Sequence, residues 1–495
     1  MTKDIPKGAH IYFMGIAGTG MAAVAGLIQQ SGYKVSGSDG AIYPPTSTML
    51  AALKIPVATP YGPKNVDAAH PDLIVVANAL SRGHEELEYA LSKDIQYTSF
   101  PKLLGDLVLS NTTSIVVAGT HGKTTTTALL AFVLKELGHD PGFLIGGVPQ
   151  NLPQAFAVGR GKIFIIEGDE YDTAFFDKGS KFLHYCPKFA ILNNLEYDHA
   201  DIFPDLAAIE AQFTKFIGLV PDSKNLIANV DDPGMRQLIE RLGLKDRVTR
   251  VATRGIDQTC PDGILRAAAQ PVAPGHEPLW NLIVRSRVFG TLELVTPLTG
   301  SHNAANVTQA IALLGRLKET GVVSDVSVPR LKEAIRKFTG VKRRLEWLAN
   351  SGGVDIFEDF AHHPTAVGLV IDGFRASYAG RRILVAFEPK NATSRRNVFT
   401  REFANALGKA DLVFIGKCPD DRRIAPESRM DTTTLARLIG EKAAAYNENE
   451  DLAKEIAMKA RAGDAVIFMS AGSFSGVQYR LAELLKRRNE PKISP

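Results

Sequence analysis

Short apolar runs, each followed by a polar or glycine-rich turn and then a longer amphipathic stretch, recur along the whole chain. His10–Met14, Lys34–Ser36 and Leu73–Val76 predict strands, and Met21–Ser31 and Glu85–Lys93 predict helices. Further on, Ser114–Ala118, Ile163–Ile166, Ala190–Leu192 and Ser223–Ala228 read as strands. Thr124–Leu137, Ala304–Lys318 and Val328–Lys337 read as helices, the last with a proline near its start. Ala267–Pro278, rich in Ala, Pro and Gly, reads as a loop. The closing third repeats the alternation with Val354–Phe357, Arg382–Phe387, Leu412–Gly416 and Ala465–Ser470. Such a pattern predicts an α/β protein whose parallel sheets are covered on both faces. Polar Asn111-Thr-Thr-Ser114 and the hinge-like Thr339-Gly340-Val-Lys-Arg-Arg344 divide the chain into units 1–111, 112–338 and 339–495. Roughly three domains is also what this length favours.

Composition narrows the class. With 45% hydrophobic and 22% charged residues, the chain reads as a soluble globular protein. A net charge of +4, spread along the sequence, gives no support to nucleic-acid binding, although Lys342-Arg-Arg344 is a small basic cluster. Cys186, Cys260 and Cys418 lie far apart without metal-ligand spacing, as in a reduced compartment. The apolar run Ile11–Met14 passes straight into a glycine turn, unlike a signal peptide. No run reaches the ~20 apolar residues needed to span a bilayer, so a cytoplasmic location is expected.

The chemistry concentrates in a few turns. Gly119-Thr120-His121-Gly122-Lys123-Thr124-Thr125 joins a strand to a helix, where backbone N–H groups can cradle phosphate oxygens. Lys123 would reach the outer phosphates and the Thr124 hydroxyl a Mg²⁺ ion. The loop departs from G-x-x-x-x-G-K-[ST], because Val117 stands at the first glycine position. Glu167, ending the strand Ile163–Ile166, projects from the sheet edge where ligands collect, with Glu170 and Asp172 just beyond. Asn194 and His199 follow the next strand at the same edge, and a hard cation fits Thr124 with Glu167. Gly15-Ile-Ala-Gly18-Thr-Gly20-Met21, with Asp39 downstream, leaves three readings open: a structural turn, a nicotinamide site, or a site for a nucleotide diphosphate such as UDP. Asn303, Arg343, Arg344, Asp359 and His362 lie in further polar turns.

Together, the glycine turns, Glu167-Gly-Asp-Glu170, Asn194-Leu-Glu-Tyr-Asp-His199, Gly300-Ser-His-Asn303, Arg343-Arg344 and Asp359-Phe-Ala-His-His-Pro-Thr365 resemble the Mur ligase family over the whole chain. The resemblance implies a Rossmann-like N-terminal domain, a P-loop ATPase-like central domain and a Rossmann-like C-terminal domain that hosts the amine substrate. It implies an ATP- and Mg²⁺-dependent ligase that phosphorylates a carboxylate and then transfers it to an amine. By carry-over, Lys123, Glu167 and His199 are catalytic, and Thr124, Glu167 and His199 hold metal. Residues 119–125 with Asn303, Arg343, Arg344 and Asp359 bind ATP, while Gly15, Gly18, Gly20, Met21 and Asp39 bind a UDP-sugar. Some members carry a carbamylated lysine after the histidine motif; the matching stretch here is Phe213-Thr-Lys215. Gly-Ser-Asp39 resembles the branch acting on UDP-N-acetylmuramate, in which one kind of enzyme adds L-alanine and another adds L-alanyl-γ-D-glutamyl-meso-diaminopimelate. Tyr43-Pro-Pro-Thr-Ser-Thr48, Gly146-Gly-Val-Pro149 and Glu170-Tyr-Asp-Thr-Ala-Phe-Phe-Asp177 are similar to the tripeptide-adding kind. Lys181-Phe-Leu-His-Tyr-Cys-Pro187 and Met469-Ser-Ala-Gly-Ser-Phe-Ser-Gly476 point the same way.

Overall fold

The computed structural model describes residues 5–252, 262–269 and 278–489. Cys260 lies outside that range; Cys186 and Cys418 are free thiols. The first sheet is parallel throughout and centred on β1 (His10–Met14), whose residues are all buried. Lys34–Ser38 and then Val57–Ala58 lie on one side of β1, with Leu73–Val76 and then Tyr97–Thr98 on the other. The chain leaves β1 through Gly15, whose φ of 81° is left-handed, and enters α1 (Thr19–Gln30).

A larger mixed sheet surrounds β2 (Thr113–Ala118). The helix that follows, α2 (Lys123–Glu136), is Thr/Ala/Leu/Phe/Val-rich on every face and buries each residue from Thr124 to Leu134. A helix apolar all round has no solvent face to offer, so it sits inside the unit. β3 (Ile163–Gly168) and β4 (Phe189–Leu192) flank β2 in parallel register. Leu226–Asn229, Thr249–Ala252 and Asp262–Ala269 continue the parallel series beyond β4. α3 (Ser301–Glu319) then packs on α2 and on this sheet.

The third sheet holds β5 (Val354–Asp359), Ala465–Ser470, Ile383–Glu388, Leu412–Ile415 and Ala443–Ala445 in parallel, with Glu346–Ser351 antiparallel at its edge. α4 (Pro364–Ser377) leaves β5 by a short loop.

Parallel pairing therefore holds at the sheet centres and fails at both edges of the second sheet and at one edge of the third. Trp280–Ser286 and Gly290–Thr296 pair antiparallel from Trp280 opposite Thr296 to Ser286 opposite Gly290. Three residues between the strands cannot hold the crossover that parallel pairing requires, and alternating burial marks strands wetted on one face. Gly142–Leu144 and Phe156–Ala157 pair likewise at the opposite edge. Of Ala267–Pro278, expected in a loop, Ala267–Ala269 end the strand Asp262–Ala269, and 270–277 lie outside the described residues.

One apolar cluster runs from the first sheet to the near face of the second, joining Ile11 and Phe13 to Phe156, Phe164 and Phe213. Another fills the far face beneath α2 and α3, and the third sheet has a cluster on each side. Among the described residues, no helix is long and apolar enough to cross a membrane.

Candidate active site

β2, β3 and β4 end side by side, so the loops after them share one edge of the second sheet. Gly122 is the N-cap of α2, with φ 81°. A Cβ there would stand 2.7 Å from Asn306 Oδ1 and 2.8 Å from Asn193 Nδ2, so only glycine fits. Asn193 Nδ2 donates to His121 O at 3.0 Å, and His121 N donates to Asn194 Oδ1 at 2.8 Å. Those bonds brace the loop from β4. The first-turn N–H groups of α2 have no intrahelical acceptors, and glycine supplies no capping side chain, which is the arrangement of an anion cradle.

Facing the cradle is a compact ionic network. Lys123 Nζ donates to both oxygens of Glu170, at 2.8 and 3.0 Å. His199 Nε2 lies 3.0 Å from Glu170 Oε1, and Asp169 completes this group. Burial disfavours the Lys123 charge, but Glu170, Asp169 and Glu167 outweigh it and raise its pKa. Burial likewise opposes charge on His199, yet the bond to Glu170 and the nearby carboxylates lift it to about 9. Thr124 Oγ1 donates to Glu167 Oε1 at 3.0 Å, and Gly146 N to Glu167 Oε2 at 2.9 Å. Burial pushes the Glu167 carboxyl up, with Lys123 partly offsetting it.

Beside the cradle, a cavity of about 460 Å³ opens between the second and third sheets, lined by His121, Thr125, Asn303, Arg344 and Asp359. Asn303 Nδ2 donates to Thr299 O at 2.8 Å, and its Oδ1 accepts from Asn306 at 3.2 Å. Asp359 accepts from Leu345 N at 2.6 Å and Ala361 N at 2.7 Å, holding the hinge against β5. Arg344 lies over the Phe360 ring, 5.1 Å from its centroid. Arg343 lies over the same ring at 5.2 Å, but its hydrogen bonds go to Glu358 Oε1 at 2.6 Å and to the Ser470 and Gly472 carbonyls.

At the far end of the site, Asp198 accepts from Thr393 Oγ1 at 2.6 Å, and Ala200 N donates to the same hydroxyl at 3.3 Å. The loop 388–396 thus touches the His199 loop. Gly18 and Gly20 are exposed at the end of β1, whereas Met21 is 5% exposed and belongs to the core. Asp39 accepts from Ala17 N and Gly40 N, both at 2.8 Å, and from the Tyr61 hydroxyl at 3.2 Å. Lys215 is exposed on its helix.

The chain belongs to the Mur ligase family. Its residues 10–112 match the "Mur ligase family, catalytic domain" model, 117–314 the "Mur ligase middle domain" and 343–472 the "Mur ligase, glutamate ligase domain". It is 35% identical over 483 residues to the UDP-N-acetylmuramate–L-alanyl-γ-D-glutamyl-meso-2,6-diaminoheptandioate ligase of Escherichia coli K12, covering 97% of this chain and 99% of that one. The UDP-N-acetylmuramate–L-alanine ligase of Leptothrix cholodnii is 32% identical, with 97% and 98% covered. The crystal structure of a murein peptide ligase from Psychrobacter arcticus 273-4 superposes with a TM-score of 0.67 at 32% identity, covering 97% of this chain and 99% of that one.

Proposed function

We propose that this protein is an ATP-dependent, ADP-forming ligase that joins UDP-N-acetylmuramate to L-alanyl-γ-D-glutamyl-meso-diaminopimelate, a recycled fragment of peptidoglycan. The observation that carries the reading is the cradle at α2 facing Lys123, Glu167, Glu170 and His199. The likeness to the E. coli tripeptide ligase along nearly all of both chains supports the substrate pair.

A carboxylate does not condense with an amine in water, because it is a poor electrophile with a poor leaving group. In the proposed reaction the lactyl carboxylate attacks the γ-phosphorus of ATP, giving an acyl phosphate and ADP. The tripeptide α-amine then attacks the acyl carbon, and phosphate leaves as the amide forms. Phosphoryl transfer needs positioning and charge neutralisation above all. Lys123 supplies a held positive charge, and the α2 N-terminus orients the triphosphate. Glu170 fixes Lys123 and His199 in place, so that they need not reorganise during transfer.

The Thr124 hydroxyl and Glu167 carboxylate present hard oxygen donors 3.0 Å apart, which suits Mg²⁺. Thr124 and Glu167 would hold one ion; His199 would hold a second once its imidazolium proton leaves and its bond to Glu170 opens. Bound there, Mg²⁺ would supply charge neutralisation between the phosphates and the attacking carboxylate.

Asn303, Arg344 and Asp359 border the cavity assigned to the nucleoside of ATP. Arg343 acts at one remove, anchoring the hinge to the third sheet. Gly15, Gly18 and Gly20 offer the UDP-sugar a helix N-terminus on the first sheet, with Asp39 shaping the turn and Met21 packing beneath it. The 388–396 loop and its neighbours receive the peptide. With ATP and a UDP-linked sugar as its proposed substrates, the reaction is assigned to the cytoplasm.

The rival reading is the alanine-adding enzyme, which the 32% identity to the Leptothrix ligase keeps in view. Purified protein supplied with ATP, Mg²⁺ and UDP-N-acetylmuramate, and offered each amine separately, decides between them. ADP release and product should appear with the tripeptide. Faster turnover with L-alanine overturns the assignment.

A further inference from the structure

A cluster at the junction of the second and third sheets, two of whose members, His121 and Glu196, border the nucleotide cavity, takes no chemical step in the ligation scheme. His121 Nε2 and His363 Nδ1 lie 3.1 Å apart. Glu196 Oε2 is 3.9 Å from the first and 3.6 Å from the second. A point equidistant from three atoms with those separations lies about 2.1 Å from each, which is the length of a zinc bond to imidazole nitrogen or carboxylate oxygen.

The surroundings already orient these three groups. His363 Nε2 faces the Tyr197 carbonyl at 3.2 Å. A carbonyl oxygen only accepts, so in the neutral ring Nε2 keeps the proton and Nδ1 presents its lone pair to the cluster. The Thr365 hydroxyl donates to Glu196 Oε2 at 2.6 Å and fixes that carboxylate. Histidine–carbonyl and carboxylate–hydroxyl supports of this kind aim metal ligands. His363 is only 3% exposed, and burial disfavours charge on both imidazoles, leaving them in the form that coordinates metals.

We propose that His121, Glu196 and His363 form a binding site for a borderline transition-metal ion of the Zn²⁺ type, with a fourth position open to water. Two imidazoles and one carboxylate suit Zn²⁺ and Co²⁺, whereas Mg²⁺ prefers oxygen ligands. The site is therefore chemically separate from the Thr124–Glu167 pair. Binding replaces the hydrogen bond between the imidazoles, and the His121 Nε2 proton passes to Nδ1 of the same ring or to solvent. His121 and Glu196 stand on loops of the second sheet, while His363 is the N-cap of α4 beside the third. The ion ties those two units together beside the cavity that His121 and Glu196 line.

The test is titration of the full-length protein with Co²⁺ alone, without nucleotide, following the visible absorption bands of four-coordinate cobalt. The four-coordinate bands should saturate at one equivalent, and Zn²⁺ should abolish them. His363→Ala and Glu196→Gln should each weaken Co²⁺ binding by ~100-fold or more, and Thr365→Val by roughly 10- to 100-fold. His199→Ala should bind as the parent does, which separates this site from the one near Glu170. Circular dichroism confirms that each variant is folded, and Glu196→Gln preserves shape should His363→Ala fail that check. Absent bands in the parent protein, or undiminished bands in a folded His363→Ala or Glu196→Gln, overturn the proposal.

Discussion

Replacing Glu170 by glutamine probes the ionic network most sharply, because one carboxylate with a side chain only 2% exposed holds two cations. Glu170→Gln keeps the shape and deletes the charge that Lys123 and His199 share. His199, lifted to about 9 in the parent, then loses its strongest support while burial still presses its pKa down. Its titration midpoint should fall by two or more pH units, about 3 kcal/mol at ~1.4 kcal/mol per unit. Because the folded value exceeds the ordinary value of about 6.5, the stability that His199 contributes is complete below pH 6.5 and lost as pH rises through 9. The parent should therefore lose about 3 kcal/mol from this group across that window, and the variant almost none. Nuclear magnetic resonance of ¹³C-histidine-labelled protein, without nucleotide or divalent cation, reads the midpoint directly. The resonance is assigned by its disappearance in His199→Gln. A midpoint that stays near 9 in Glu170→Gln refutes the reasoning.

Other consequences are equally specific. Lys123→Ala removes the positive charge held at the cradle and should slow ligation by ~10²-fold or more, with near-parental rates in a steady-state assay counting against its role. Gly122→Ala forces a Cβ into left-handed backbone 2.7 Å from Asn306, and should cost about 1–3 kcal/mol of stability and weaken ATP binding. Calorimetry of unfolding and nucleotide titration measure both, and parental values would contradict the geometry. His302 is pushed down to about 4 by burial and then by Arg344. The unfolded chain thus binds the extra proton between pH 6.5 and 4, and stability should fall as pH drops through that window. His302→Gln should fall less steeply in denaturant titrations; an identical slope would contradict this.

The sheet centres were legible because their strands are buried on both faces, and continuous apolar runs announce such strands. His10–Met14, Leu73–Val76 and Ala465–Ser470 have the bounds that their sequence suggests. The hairpin at Trp280–Thr296 was not, since strands wetted on one face carry a weaker alternating pattern. Around the site, local spacing pointed to the cradle and to Glu167, which meet across adjacent strand ends. The bridging role of Glu170 depends on partners 47 and 29 residues away, a contact that only the folded sheet edge creates. Arg343 and Arg344 look interchangeable as neighbours, yet backbone geometry sends one to Glu358 and the other to the cavity.

The central claim is that the sugar's carboxylate is phosphorylated before the peptide amine attacks it. UDP-N-acetylmuramate labelled with ¹⁸O in its lactyl carboxylate, incubated with ATP, Mg²⁺ and the tripeptide, tests it through mass spectrometry of the released phosphate. One labelled oxygen per ligation event should appear in inorganic phosphate. Product formation with unlabelled phosphate would contradict the account.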